Sequence, residues 1–138
     1  MRFVLDASVA LGWFVDHPVA PYATRIRQLL AAGSRAVVPA LWHLEMADGF
    51  AGAERRGILT PADTDLCLVQ VEQLLGRAIE TETDLIPARE ACAIARTFAL
   101  SAYDAVYLDT ARRTGLPLAT LDQPLRAAAT RAGVELPR

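Results

Sequence analysis

Four carboxylates stand at the joints of this chain and limit what it can fold into. Asp6 closes the apolar run Phe3-Val4-Leu5, Glu45 follows Trp42-His43-Leu44, Asp104 follows Ser101-Ala102-Tyr103, and Asp122 follows Thr120-Leu121. Each lies where a short apolar strand ends, where a helix begins, or on the apolar side of a helix, so one fold can bring all four together. Two unit charges about 6 Å apart at an effective dielectric of about 20 repel by roughly 2.8 kcal/mol. That penalty recurs for every pair. Protonation relieves some of it, but the natural neutraliser of an all-oxygen cluster is a hard divalent cation, Mg2+ or Mn2+.

The segments between the acids alternate in pattern. Arg2 to Leu5 reads as a buried strand, followed by helical turns from Ala7 to Phe14 and a loop at Asp16-His17-Pro18. Tyr22 to Ala32 has helical spacing and stops at Gly33. Ala36-Val37-Val38 is a second strand. From Ala40 to Arg56 a helix carries Leu41, Leu44, Ala47 and Ala51 on one stripe, with Trp42, Met46 and Phe50 beside it. Thr60-Pro61-Ala62-Asp63 opens another helix, with threonine as N-cap, proline at N1 and an acid at N3, running to about Leu75.

A brief strand at 78–81, helices over 84–100 and 104–114, a strand at 116–120, a helix over 124–132 and a last strand at 134–136 complete the reading. Strands alternating with helices imply an α/β sandwich around a short, mostly parallel sheet. In such sheets ligands bind outside the carboxyl ends of the strands. Asp6 and Asp122 belong there, with Ser8 and Thr120 close by.

Composition sets the remaining bounds. With 138 residues, 53% of them hydrophobic, one domain over residues 1–138 is expected, with a core that needs no disulfide. Cys67 and Cys92 lack metal-ligand spacing and read as small core residues. No apolar run approaches the roughly 20 residues of a membrane span, and the opening segment is no signal peptide; a cytoplasmic protein is expected. A net charge of -2 is unlike a basic nucleic-acid binder. Removing four acids from that total, however, leaves the rest of the chain at +2. All 14 basic residues are arginine, which suits bidentate phosphate contacts or simply reflects genome composition.

Taken singly, the acids have bland explanations. Asp6, like Ser8, reads equally as a helix cap; Asp104 stands three residues after Ser101, the spacing of a capping pair; Asp122 precedes a helix with Pro124 in its first turn. Glu45 is harder to dismiss. It sits among Leu41, Trp42, Leu44 and Met46 with no basic residue one turn away, and buried glutamate needs a partner. Asp48 reads as a neighbour of the metal or as solvated, and Asp109 as surface. His17 and His43 have no zinc-type spacing and activate no serine or cysteine.

The motifs are more specific together than apart. Met1-Arg2-Phe3-Val4-Leu5-Asp6-Ala7-Ser8-Val9-Ala10-Leu11 with Trp13-Phe14 resembles the opening of PIN-domain proteins, especially the VapC-type ribonuclease toxins of type II toxin–antitoxin systems. Val38-Pro39, Leu41-Trp42 and Glu45 resemble that family's second acidic motif. Tyr103-Asp104-Ala105-Val106-Tyr107-Leu108 and Leu118-Ala119-Thr120-Leu121-Asp122 resemble its third and fourth.

The resemblance implies a three-layer α/β/α PIN-like fold, metal-dependent cleavage of structured RNA (often tRNA or ribosomal RNA), a homodimer, and inhibition by a cognate antitoxin protein. It assigns Asp6 and Asp104 as principal metal ligands, Glu45 and Asp122 as completing the quartet, and Ser8 and Thr120 as hydroxyls lining the catalytic site. Three positions depart from it. Gly12 stands where a lysine is common, Asp48 where an asparagine is frequent, and Asp109 where a small residue is usual.

One or two metal ions would support in-line attack of water on phosphorus, leaving a 5′-phosphate and a 3′-hydroxyl. Arg55, Arg56, Arg112 and Arg113 are candidate phosphate contacts, or helix-end residues that complement the dipole. Phosphotransfer receivers and haloacid-dehalogenase-like phosphatases also place acids at strand ends. Both need a lysine that this chain lacks. A non-catalytic PIN-like module that binds RNA or a protein is the remaining alternative, and the complete quartet argues against it.

Overall fold

Four short strands, each closed by a polar or proline residue, assemble into one parallel sheet. The computed structural model describes residues 1–138. In chain order the elements are β1 (Arg2–Leu5), α1 (Ala7–Val15), α2 (Pro21–Ala31), β2 (Arg35–Pro39), α3 (Leu41–Arg55), α4 (Pro61–Arg77), β3 (Ile79–Glu82), α5 (Ala88–Phe98), α6 (Ala102–Thr114), β4 (Leu118–Ala119) and α7 (Gln123–Arg131). The strand order is β3-β2-β1-β4 and every ladder is parallel. Phe3, Val4 and Leu5 of β1 and Ala36, Val37 and Val38 of β2 are buried, as expected of strands covered on both faces in an α/β/α arrangement.

Helix α6 packs on β1, β2 and β4, and α3 on β2. The carboxyl ends of β1 and β4 therefore meet the first turns of α1, α6 and α7. Helix α3 shows which of its two apolar stripes the fold uses. Trp42, Met46, Phe50 and Ala53 are buried, whereas Leu44 is 71% exposed and Ala47 faces solvent. The stripe of Leu44 and Ala47 is thus the outer one, because β2 and α1 meet the helix on its bulky aromatic side. Helices α1 and α3 approach closely at Gly49: a Cβ there would lie 2.5 Å from the end of the Leu11 side chain, which would have to shift.

Some expectations do not survive. Residues 134–136 form no strand; only Leu118 N–H donates to Glu135 O (2.8 Å), so the tail lies beside β4 without a ladder. Strand β4 itself is reduced to Leu118–Ala119, since Pro117 has no N–H to offer. Helix α5 begins at Ala88 rather than at 84, because Pro87 takes the N-cap in extended conformation and proline disfavours helix in the residue before it. Cys67 is only half-buried and Cys92 is exposed, so neither is a core residue. The capping box of α4 is as read: Asp63 N–H donates to Thr60 Oγ1 (3.1 Å) and Thr60 N–H to Asp63 Oδ2 (3.0 Å).

Candidate active site

Asp6 occupies the N-cap position of α1, yet its side chain does not cap that helix. Its backbone N–H donates to Ala119 O (2.9 Å), which fixes it at the carboxyl edge of the sheet between β1 and β4. The side chain turns to two hydroxyls instead. Ser8 Oγ (2.6 Å) and Thr120 Oγ1 (2.7 Å) both donate to Asp6 Oδ2. Each hydroxyl in turn accepts from the loop after β4: Leu121 N–H donates to Ser8 Oγ (3.0 Å), and Asp122 N–H donates to Thr120 Oγ1 (3.0 Å). The chain of bonds stitches the β1–α1 joint to the β4–α7 joint and leaves Asp6 rigid and only 4% exposed.

The other acids converge from separate elements. Asp104 lies in the first turn of α6, where its N–H donates to Ser101 Oγ (3.1 Å). Asp122 caps α7 by accepting from Leu125 N–H (2.9 Å), so for this residue the cap reading and the site reading both hold. Glu45, on α3, accepts from Tyr107 Oη (2.6 Å). Its neutral partner, required by its apolar surroundings, is therefore a phenol and not a basic group. All four acids, Asp48 and Ser8 line one open cleft of about 610 Å³, whereas Thr120, expected to line it too, is fully buried behind Asp6. The walls are apolar: Leu11, Leu41 and Leu44 on one part, Tyr103 on another. No arginine or histidine lines it.

The acids share one electrostatic field. Burial pushes Asp6 up from its ordinary value, its two hydroxyl partners pull it back, and Asp122 pushes it up again. Asp104 is pushed up to about 6 by burial, then by the charges of Asp122 and Asp6. Glu45 is raised by burial and by Asp6, Asp104 and Asp48, with the Tyr107 bond lowering it. Tyr107 is strongly raised by burial, by the charge of Asp6 and by its bond to Glu45, and stays a phenol that donates to Glu45.

As the side chains stand, no three of the acids are gathered at coordination distance around one point. The donor set nevertheless fits a hard dication. It is all oxygen, carries excess negative charge and has no cation in the cleft.

The structure also sorts the remaining candidates. Asp48 is exposed but lines the cleft. Asp109 is not a free surface acid: it is half-buried and accepts from Arg113 (3.0 Å). Arg113 also binds Glu82 (2.9 Å) and Asp84 (3.2 Å), and is therefore committed to carboxylates rather than to phosphate. Arg112 lies 5.7 Å over the Phe98 ring. None of Arg55, Arg56, Arg112 and Arg113 lines the cleft. A Cβ at Gly12 would sit 3.2 Å from Asp16 Oδ2, so a long cation there would need room beside that carboxylate.

Sequence reasoning missed Tyr107 and Tyr103. The first could have been found: it lies one helical turn after Asp104, on the same face of α6. The second had no local signal except its position beside an acid.

A parallel sheet opening on an acidic cleft at its carboxyl edge, flanked by helices, is the architecture of nuclease-type α/β/α domains. The family model for the PIN domain matches residues 3–130, and the chain belongs to the PIN-domain family, whose members are generally metal-dependent nucleases. The fold is also similar to the crystal structure of PAE2754 from Pyrobaculum aerophilum. The two share 21% identity at a TM-score of 0.70, over 93% of this chain and 84% of that one. No curated protein matches the chain. No helix is long and apolar enough to cross a membrane.

Proposed function

We propose that this chain is a Mg2+- or Mn2+-dependent endoribonuclease cleaving phosphodiester bonds of tRNA or ribosomal RNA, and the toxin of a VapBC-type toxin–antitoxin pair. One observation carries the nuclease reading: four acids from α3, α6 and two strand ends line a single cleft without a basic partner. Asp6 and Asp104 would be the principal metal ligands, with Glu45 and Asp122 completing the set. When bound, the metal supplies activation of water and stabilisation of charge on the phosphate.

The protein's own groups do the rest. Ser8 and Thr120 hold Asp6 in one orientation through their hydrogen bonds to it. Tyr107 occupies one oxygen of Glu45 and leaves the second for the metal or for the proton of the attacking water. No serine or cysteine is activated as a nucleophile, so direct attack of water, giving a 5′-phosphate and a 3′-hydroxyl, is the step this geometry suits.

Calorimetric titration with Mn2+ followed by RNA cleavage with and without chelator tests the proposal. Chelator-sensitive cutting supports it. Metal binding without any cutting would instead support the non-catalytic RNA- or protein-binding module. The toxin role, the cognate antitoxin and the homodimer rest on the motif resemblance. They are tested by growth arrest on expression, relief by co-expressing the neighbouring small gene, and the sedimentation mass.

A further inference from the structure

Of the nine aromatic residues in the chain, eight are buried or half-buried; Tyr103 alone is exposed, at 63%. It lies on the cleft, immediately before Asp104. Leu44, 71% exposed, lies on the same cleft immediately before Glu45. Each of these exposed apolar side chains is therefore the chain neighbour of a cleft acid, one from α6 and the other from α3. The folded molecule gains nothing by leaving them in water, and it offers no arginine in the cleft to hold a nucleic acid there. Apart from the acids, the large side chains the cleft offers to a nucleic acid are its apolar walls.

Resting on the nuclease reading above, we infer that Tyr103 is a stacking platform for an unpaired nucleobase next to the scissile phosphate, with Leu44 as the apolar wall on the α3 side. The substrate is then single-stranded or looped RNA. In an A-form duplex the base faces are stacked on one another and closed to a side chain, whereas an unpaired base presents a π-face to any aromatic ring. Tyr103 determines which RNA conformation is accepted and takes no part in the chemical step.

The experiment compares the full chain with Tyr103→Phe and Tyr103→Leu. With Mn2+, cleavage is followed on a single-stranded RNA oligonucleotide and on the same strand annealed to its complement. In parallel, the fluorescence of a 2-aminopurine base placed in the single strand is read on mixing, since stacking on the ring quenches it. The expected result is that Tyr103→Leu raises KM about 5- to 100-fold with kcat within about threefold, and loses the quenching. Tyr103→Phe keeps both, and the duplex is cut poorly by all three proteins. Thermal midpoints unchanged by either substitution exclude a merely structural role.

A Tyr103→Leu protein with normal KM and undiminished quenching overturns the inference while wild-type cleavage leaves the nuclease reading intact. If the wild type cuts no RNA, the nuclease reading fails. Quenching then decides the base platform separately: present in wild type and absent in Tyr103→Leu supports it, and absent in both overturns it.

Discussion

At the residue scale the decisive feature is how Asp6 is held. A carboxylate that is 4% exposed and accepts from two hydroxyls is oriented before any cation arrives. Asp6→Asn keeps the acceptor oxygen for Ser8 and Thr120 but removes the charge. Metal-dependent RNA cleavage should fall by more than about 100-fold, beyond what loss of an outer hydrogen-bond partner does, while the circular dichroism spectrum is unchanged; normal turnover with Mg2+ would refute the assignment. Tyr107→Phe tests the second support. The ring stays packed, the donor to Glu45 is lost, and Mn2+ affinity should drop about 10-fold by calorimetry; unchanged affinity would make the tyrosine a packing residue only.

Asp104 adds a pH dependence. Its folded value of about 6 lies above the ordinary 3.8, so between those values the native state holds a proton that the unfolded chain has released. Stability of the metal-free protein therefore falls as pH rises through that window, and the full penalty is present above about pH 6. Asp6 and Glu45 are shifted in the same direction and add to the trend. Urea midpoints in chelator at pH about 4.5, inside that window, and about 7, above it, should show the decline, and Asp104→Asn should reduce it. A wild-type profile rising over this range would contradict the picture.

At the element scale, capping decides where helices start and what their first turns can present. Thr60 caps α4 with a reciprocal Asp63 contact, far from the cleft. Thr60→Ala should lower stability by about 1 kcal/mol in denaturant titration without changing RNA cleavage, and a change in cleavage would mean that α4 couples to the site. The caps of α6 and α7 are different, because they carry function as well. Ser101 fixes the backbone of Asp104, and Asp122 both caps α7 and faces the acids. These local signals were readable in the chain, since a cap depends on residues three positions apart. The register of α3 was not. Its two apolar stripes are adjacent, and only the packing of α1 and β2 against it selected Trp42, Met46 and Phe50 for the core and left Leu44 outside.

At the scale of the whole molecule, the parallel sheet is what turns separate acids into one site. The order β3-β2-β1-β4 sets β1 beside β4, so Asp6 and Thr120, 114 positions apart, share a hydrogen bond. A fold built around unneutralised charge should gain from metal as a whole. At Mn2+ about 100-fold above its Kd the gain is about 2.7 kcal/mol, a rise in thermal midpoint of about 8–12 °C for a domain of this size. Differential scanning fluorimetry with and without chelator checks this, and Asp6→Asn should remove most of the rise. An equal rise in that variant would place the metal elsewhere.

The amino-acid order by itself determined the alternation of strands and helices, the N-caps and the identity of the acids. These depend on hydrophobic period, proline, and residues a turn apart. Tertiary structure alone decided the rest. It denied residues 134–136 a ladder, tied Arg113 to Glu82 and Asp84, gave Glu45 a phenol 62 positions away as its partner, and left one tyrosine of three exposed beside the acids. Side-chain partners across such separations follow from how the sheet and helices pack, and no local pattern in the chain encodes that packing.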